Sequence, residues 1–164
     1  MSKLRALVGS IVMASALTVP IASAQAMSPA DGHREAGAQV TADPIETYKN
    51  RHTGQRLDDN LATGNVRTMP TLDANQQKWR VRTWRDKTVR LQNVHTGKCV
   101  ADGGRGRAVP QTCNSSEAQS WEVIQAGSGY IKFRNEAYGY CLHDTYANDL
   151  QLKPCAATTS QHWN

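Results

Sequence analysis

The chain is 164 residues long, carries 19 Lys and Arg against 14 Asp and Glu, and has a formal net charge of +5. Such mild basicity does not demand a nucleic-acid partner. No low-complexity tract or charge block divides the chain, and its length suits one domain with a real core.

The N-terminus reads as an address label. Lys3 and Arg5 lead into an apolar run from Ala6 to about Val19, followed by the small-residue frames Ala22-Ser23-Ala24 and Ala24-Gln25-Ala26. A basic start, a short apolar stretch and an A-x-A end predict a secretory signal peptide over residues 1–26. Ser10, Ser15, Thr18 and Pro20 interrupt the run, which falls short of the ~20 apolar residues a bilayer crossing needs. A secreted, extracellular product without membrane insertion is therefore expected. Cleavage after Ala26 leaves 138 residues with 17 basic and 14 acidic side chains. Residues 27–44 are polar and rich in Ala, Gly and Pro; they read as a flexible lead-in, with Gln39 to Thr41 as a candidate extra strand.

From residue 45 onward the chain repeats. Gln-x-Trp stands at Gln77-Lys78-Trp79, Gln119-Ser120-Trp121 and Gln161-His162-Trp163, with the tryptophans 42 residues apart each time. A fixed period of roughly 20–50 residues marks a repeat architecture. A second block recurs in step: Asn50-Arg51-His52-Thr53-Gly54, Asn93-Val94-His95-Thr96-Gly97 and Asn135-Glu136-Ala137-Tyr138-Gly139, each followed by an aliphatic residue and an Asp. Copy one is one residue longer before its tryptophan, which places an insertion near Leu61 to Gly64.

The segments around these blocks alternate. Val89 and Leu91 of copy two match Ile131 and Phe133 of copy three; in copy one Glu46 takes the first slot and Tyr48 keeps the second. Period-2 alternation bounded by Asn and Gly predicts short strands and hairpins. Three copies of about four short strands predict an all-β domain, a β-trefoil of three pseudo-symmetric repeats over residues 45–164, in which closure removes exposed strand edges.

The cysteines follow the repeat. Cys99 and Cys113, like Cys141 and Cys155, are 14 residues apart at equivalent positions. Of the three pairings four cysteines allow, only pairing within each copy respects the repeat, and secretion makes disulfides chemically sensible. Copy one holds Arg56 and Thr71 at these positions and has no staple. A four-cysteine zinc site would need closer C-x2-C spacing, so no metal is expected.

Together, the three Gln-x-Trp motifs, the Asn-…-Thr-Gly-…-Leu-Asp block and the intra-copy cysteine pairs resemble the ricin B-chain-like lectin family, which includes the family-13 carbohydrate-binding modules. Copy one resembles the actinohivin type within it, through Thr53-Gly54-Gln55-Arg56-Leu57-Asp58-Asp59-Asn60, Gly64-Asn65-Val66 and Asn75-Gln76-Gln77-Lys78-Trp79. The Gln-x-Trp motif itself reads as scaffold, with Trp79, Trp121 and Trp163 in the shared core and each Gln satisfying backbone groups.

The resemblance implies a shallow sugar pocket on each copy. In it, an Asp accepts sugar hydroxyls, an aromatic ring stacks on the sugar's C–H face, and polar residues before Gln-x-Trp complete the wall. The carboxylate position holds Asp58, Ala101 and His143; the ring positions hold Arg67 and Met69, Val109 and Gln111, and Gln151 and Lys153. The residue before the Gln is Gln76, Ala118 or Ser160. The pockets read as degenerate, with copy one the best remaining carbohydrate site through Asp58, Asn60, Asn75 and Gln76. Asp59, Asp102 and Asp144 recur one position later and read as turn residues that bond their own backbone.

One further segment stands apart. Arg80 to Lys87 is the most basic stretch, and its Trp84 is the only Trp outside the repeat motif, a candidate for surface stacking on a sugar or for contact with an anionic glycan. The histidines, His33, His52, His95, His143 and His162, form no metal-spaced pair. No nucleophile or phosphate-loop signature appears, and nothing specific points to a glycosidase carboxylate pair. The sequence thus predicts a secreted, monomeric, non-catalytic carbohydrate-binding protein without cofactor. The rival reading is a degenerate trefoil that binds a protein or an anionic polymer, as a protease inhibitor or toxin accessory does.

Overall fold

The computed structural model describes residues 42–59, 64–146 and 150–164. The expected signal peptide, the proposed strand at Gln39 to Thr41, Asn60 and most of the copy-one insertion lie outside these residues. Among the described residues the chain forms eleven strands: β1 (Ile45–Glu46), β2 (Arg56–Asp58), β3 (Arg67–Met69), β4 (Trp79–Thr83), β5 (Val89–Asn93), β6 (Cys99–Asp102), β7 (Ala108–Gln111), β8 (Trp121–Gly127), β9 (Tyr130–Asn135), β10 (Tyr140–His143) and β11 (Gln151–Pro154). Val89, Leu91 and Asn93 of β5 are buried while Arg90 and Gln92 between them are half-buried, as period-2 alternation requires. A single 3₁₀ turn precedes each repeat tryptophan, at Asn75–Gln77, Glu117–Gln119 and Thr159–Gln161. Strand periodicity did not foresee these turns.

The barrel closes by the same pairing in every copy. Each tryptophan lies opposite the first slot of its own copy, in Glu46↔Trp79, Val89↔Trp121 and Ile131↔Trp163. On its other side it pairs with the Asn that opens a copy, in Asn93↔Trp79, Asn135↔Trp121 and Asn50↔Trp163. Copy three completes this ring with very little chain. Trp163 exchanges two 2.9 Å backbone bonds with Ile131, and Asn164 exchanges bonds of 2.7 and 3.1 Å with Lys49. The ring is the barrel of a β-trefoil, and the hairpins β2–β3, β6–β7 and β10–β11 cap it. Val66, Ala108 and Leu150, 42 residues apart, meet where the caps converge. Each donates its backbone N–H to the next in a closed cycle, at 3.2, 3.3 and 3.3 Å.

Trp79, Trp121 and Trp163 are fully buried around Leu57, Leu91, Phe133 and Leu142. Their indole N–H groups donate to the carbonyls of Leu57, Val100 and Leu142 at 3.1, 3.1 and 3.3 Å. Each ring removes about 150–250 Å² from water, worth roughly 4–6 kcal/mol before entropy is subtracted. The glutamines act as backbone clamps. Gln77 donates to Pro70 O and accepts from Leu72 N, both at 2.8 Å. Gln119 holds Thr112 O and Asn114 N, and Gln161 holds Pro154 O and Ala156 N, in the same geometry.

Adjacent copies are tied by the repeated Asn. The side-chain amides of Asn50, Asn93 and Asn135 donate to the carbonyls of Ser160, Gln76 and Ala118, the residues just before each Gln. Their carbonyl oxygens accept backbone N–H groups of the following turn. That turn ends on Gly54, Gly97 or Gly139 at φ 68°, 68° and 70°, a left-handed backbone that only glycine adopts without cost. The disulfides Cys99–Cys113 and Cys141–Cys155 form as the repeat requires, and each loop contributes about 3 kcal/mol. All four cysteines are thereby used, which rules out the zinc alternative.

Candidate functional site

The three cap hairpins present the positions where the sequence places sugar contacts. In copy one, Asp58 ends β2 directly opposite Arg67 of β3. Arg67 Nε donates to Asp58 Oδ1 at 2.9 Å, and the two side chains are 17% and 3% exposed. The carboxylate is therefore covered by the guanidinium that occupies the ring position. Asn75 is exposed and Gln76 half-buried in the adjacent 3₁₀ turn. The bond from Asp59 N to Gln76 O, 3.0 Å, draws that turn against the end of β2. The structure thus brings Asp58, Asn75 and Gln76 together; Asn60 lies outside the described residues.

Copies two and three differ at the same place. Ala101 is fully buried. His143 is half-buried, and among the described residues its Nδ1 has no hydrogen-bond partner. Burial, with Lys153 nearby, holds the His143 imidazole below the ordinary histidine range. Among the described residues, no group of three His, Cys, Asp or Glu stands ready to hold a metal ion.

The recurring aspartates serve the fold, but not as three equal turn residues. Asp102 does bond its own turn, accepting Gly104 N at 2.7 Å. Asp59 and Asp144 reach across copies instead. Thr96 Oγ1 donates to Asp59 at 2.7 Å, Thr68 Oγ1 donates to Asp144 at 2.7 Å, and Thr53 Oγ1 also donates to Asp144. The expectation of turn bonding alone fails at these two positions, because a threonine of the next copy lies within reach of the carboxylate.

Trp84 is half-buried, and its ring is already engaged. Arg82 and Arg90, cross-strand partners on β4 and β5, place their guanidinium carbons 5.1 and 5.2 Å from its centroid. Burial first, and then Arg82, lowers the Arg90 guanidinium from its ordinary value, and among the described residues Arg90 Nε has no partner. Arg82, Trp84, Arg85, Asp86, Ser115 and Ser120 line an open cleft of about 480 Å³. Thr83, at the end of β4, is exposed although strict alternation from Trp79 and Val81 would turn it inward.

Of the exposed rings outside the set read from sequence, two line one cleft. Tyr138 and Tyr140 are 66% and 40% exposed. Their signal was in the alignment of copies, where Tyr138 stands in the place of Thr53 and Thr96.

Comparison with known proteins agrees with this geometry. Residues 75–151 match the family described as ricin-type beta-trefoil lectin domain-like. No curated protein matches the chain in sequence. Among solved structures the chain is similar to the GlcNAcα1-4Gal-releasing endo-β-galactosidase of Clostridium perfringens, at 20% identity and a TM-score of 0.67. That match covers 73% of this chain but only 31% of the galactosidase, so the chain spans about a third of that enzyme's length. ThreeFoil, a designed threefold-symmetric protein, matches at 21% identity and a TM-score of 0.67, over 73% of this chain and 95% of its own. SeviL, solved bound to the asialo-GM1 saccharide, matches at 16% identity and a TM-score of 0.64, over 75% of this chain and 95% of its own. At these identities the structures establish the β-trefoil fold, and the family match spans residues 75–151, fewer than half of the 164 in the chain.

Proposed function

We propose that this protein is a secreted, non-catalytic carbohydrate-binding protein with degenerate sugar sites, of which copy one is the best preserved. The observation that carries this reading is the copy-one hairpin. There, on an intact trefoil frame, the Asp58 carboxylate pairs with the Arg67 guanidinium, and the turn carrying Asn75 and Gln76 is drawn against the end of β2. The family match and the saccharide-bound state of SeviL support it. Two disulfides are compatible with an extracellular location. The finer kinship, to the actinohivin type or the family-13 modules, rests on the copy-one residues.

In this reading Asp58 is the hydroxyl acceptor and Arg67 is its gate. A sugar reaches the carboxylate only when Arg67 swings outward, exchanging one ion pair for sugar hydroxyls while Asn75 and Gln76 flank the ring. The cost of breaking that pair makes binding weak. A glycan array with the mature chain tests the function, and absence of binding to every glycan overturns it. Asp58→Ala is expected to abolish the copy-one signal and Arg67→Tyr, which supplies a stacking ring and uncovers Asp58, to strengthen it. Array binding that survives Asp58→Ala moves the site elsewhere.

A second reading draws on the Arg82–Trp84–Arg90 cluster. Two adjacent guanidinium groups beside an open cleft suit an anionic polymer, because an anion relieves their mutual repulsion. Such binding is lost by about 0.2 M salt through screening, whereas sugar recognition resists salt and yields to a free monosaccharide.

A further inference from the structure

The three junctions between copies are built alike, except for one. At the junction of copies one and two, Thr96 of the later copy donates to Asp59 of the earlier one at 2.7 Å. Where copy three meets copy one, Thr53 donates to Asp144 in the same manner. At the junction of copies two and three the threonine is replaced by Tyr138. A phenol cannot stand in for that short hydroxyl, and Tyr138 points to solvent at 66% exposure. Asp102, 7% exposed, keeps its own-turn bond from Gly104 N on one oxygen and, among the described residues, receives no threonine hydroxyl.

The result is a cleft of about 210 Å³ lined by Asp102, Gly104, Arg105 and Gly106 on one side and Tyr138 and Tyr140 on the other. Its floor is fixed by the turn. A Cβ at Gly103 would lie 2.7 Å from Val109, so the backbone must stay close to β7 there. Gly104, Arg105 and Gly106 all have positive φ, at 75°, 55° and 71°, which holds the arginine backbone in a conformation that L-residues seldom adopt. Arg107 N bonds Gly104 O at 3.2 Å and Gly103 N bonds Arg107 O at 3.0 Å, so the turn is pinned. A carboxylate acceptor, two wet aromatic faces and a guanidinium donor thus meet in a space smaller than the roughly 300 Å³ at which drug-sized pockets begin.

We propose that this junction is a sugar-binding cleft, in which the rings of Tyr138 and Tyr140 stack on the C–H face of a single neutral pyranose and the Asp102 carboxylate accepts its hydroxyls. Arg105 donates to the outward oxygens of the ring, and the small volume selects the terminal residue of a glycan. The inference rests on the carbohydrate-binding reading, but it places a site between copies two and three rather than in the hairpin of copy one. Loss of the threonine at one junction would then have a use: it leaves a buried acceptor available and supplies a ring, which the stacking positions of the three hairpins lack.

The test titrates the full mature chain with methyl glycosides of mannose, galactose, glucose and N-acetylglucosamine, following the tyrosine ring protons by NMR. At least one glycoside should shift the Tyr138 and Tyr140 resonances. Tyr138→Thr should weaken that binding by roughly tenfold or more while leaving the melting temperature unchanged or higher, because the new hydroxyl restores the bond made at the other two junctions. Tyr140→Ala and Asp102→Asn should weaken binding likewise, and Asp58→Ala should not. Binding that survives Tyr138→Thr and Tyr140→Ala but disappears in Asp58→Ala overturns the cleft and leaves the copy-one reading standing. If no glycoside shifts these resonances, the cleft is overturned, whereas the copy-one reading falls only if the glycan array is blank as well.

Discussion

Replacing Gln77 by alanine isolates what the Gln-x-Trp motif does. The side chain is fully buried and makes two 2.8 Å bonds, to Pro70 O and from Leu72 N. Each such bond contributes about 0.5–1.5 kcal/mol net, and the lost methylene and amide volume adds about 1 kcal/mol. The expected cost is therefore about 2–4 kcal/mol, or roughly 8–16 °C in melting temperature for a domain of this size. Urea unfolding followed by tryptophan fluorescence reads the free energy, and amide hydrogen exchange reads the local effect. In Gln77→Ala the Leu72 amide should exchange quickly, because Arg56 and Thr71 leave that segment without a disulfide. In Gln119→Ala the equivalent Asn114 amide should stay better protected, because Cys113 beside it is tied to Cys99. Removing that disulfide should erase the difference. A Gln77→Ala variant within about 0.5 kcal/mol of wild type, with Leu72 protection unchanged, would refute the clamp.

Replacing Cys141 and Cys155 together by serine should cost about 3 kcal/mol by the loop-closure model; denaturant midpoints measure it, and no loss would mean the bridge merely decorates an already rigid hairpin. Burial raises the Asp144 carboxyl above its ordinary 3.8 despite the bonds from Thr53 and Thr68. The folded protein then holds this proton more tightly than the unfolded chain, so the contribution is largest below the ordinary value and is lost as pH rises through the raised one. The stability of wild type relative to Asp144→Asn should accordingly fall as pH rises from about 3 to 7, and a flat or rising difference in urea titrations contradicts it. The His162 imidazole is lowered chiefly by burial, with Arg51 and Lys132 nearby. The stability it contributes is present above the ordinary histidine value and lost as pH falls through the lowered one, so His162→Gln should flatten the loss of stability below pH 6.5.

The fold was legible because it is written three times. Register between copies located the tryptophans, the glutamines, the Asn turns and both disulfides without a single contact in hand. The site was less legible. Asp58 stands at the position of a sugar acceptor, but its sequence neighbours say nothing about Arg67, nine residues away, lying across it. Trp84 looked like a free surface ring until β4 and β5 paired Arg82 with Arg90 beside it. The aspartates that looked like turn residues bond threonines 37 and 91 residues away, distances at which sequence pattern carries no signal.

What the sequence determined by itself was therefore periodic: an all-β trefoil, its copy boundaries, its core and its disulfide pairing. Local alternation and repeat register suffice for these, because equivalent residues in equivalent copies must fill equivalent places. Tertiary structure decided everything that depends on which copy lies beside which. It covered Asp58 with Arg67, stitched two junctions by threonine to aspartate, and opened the third where Tyr138 breaks the pattern. Function is carried by departures from symmetry, and a departure acquires meaning only when the residue it should have met is in view.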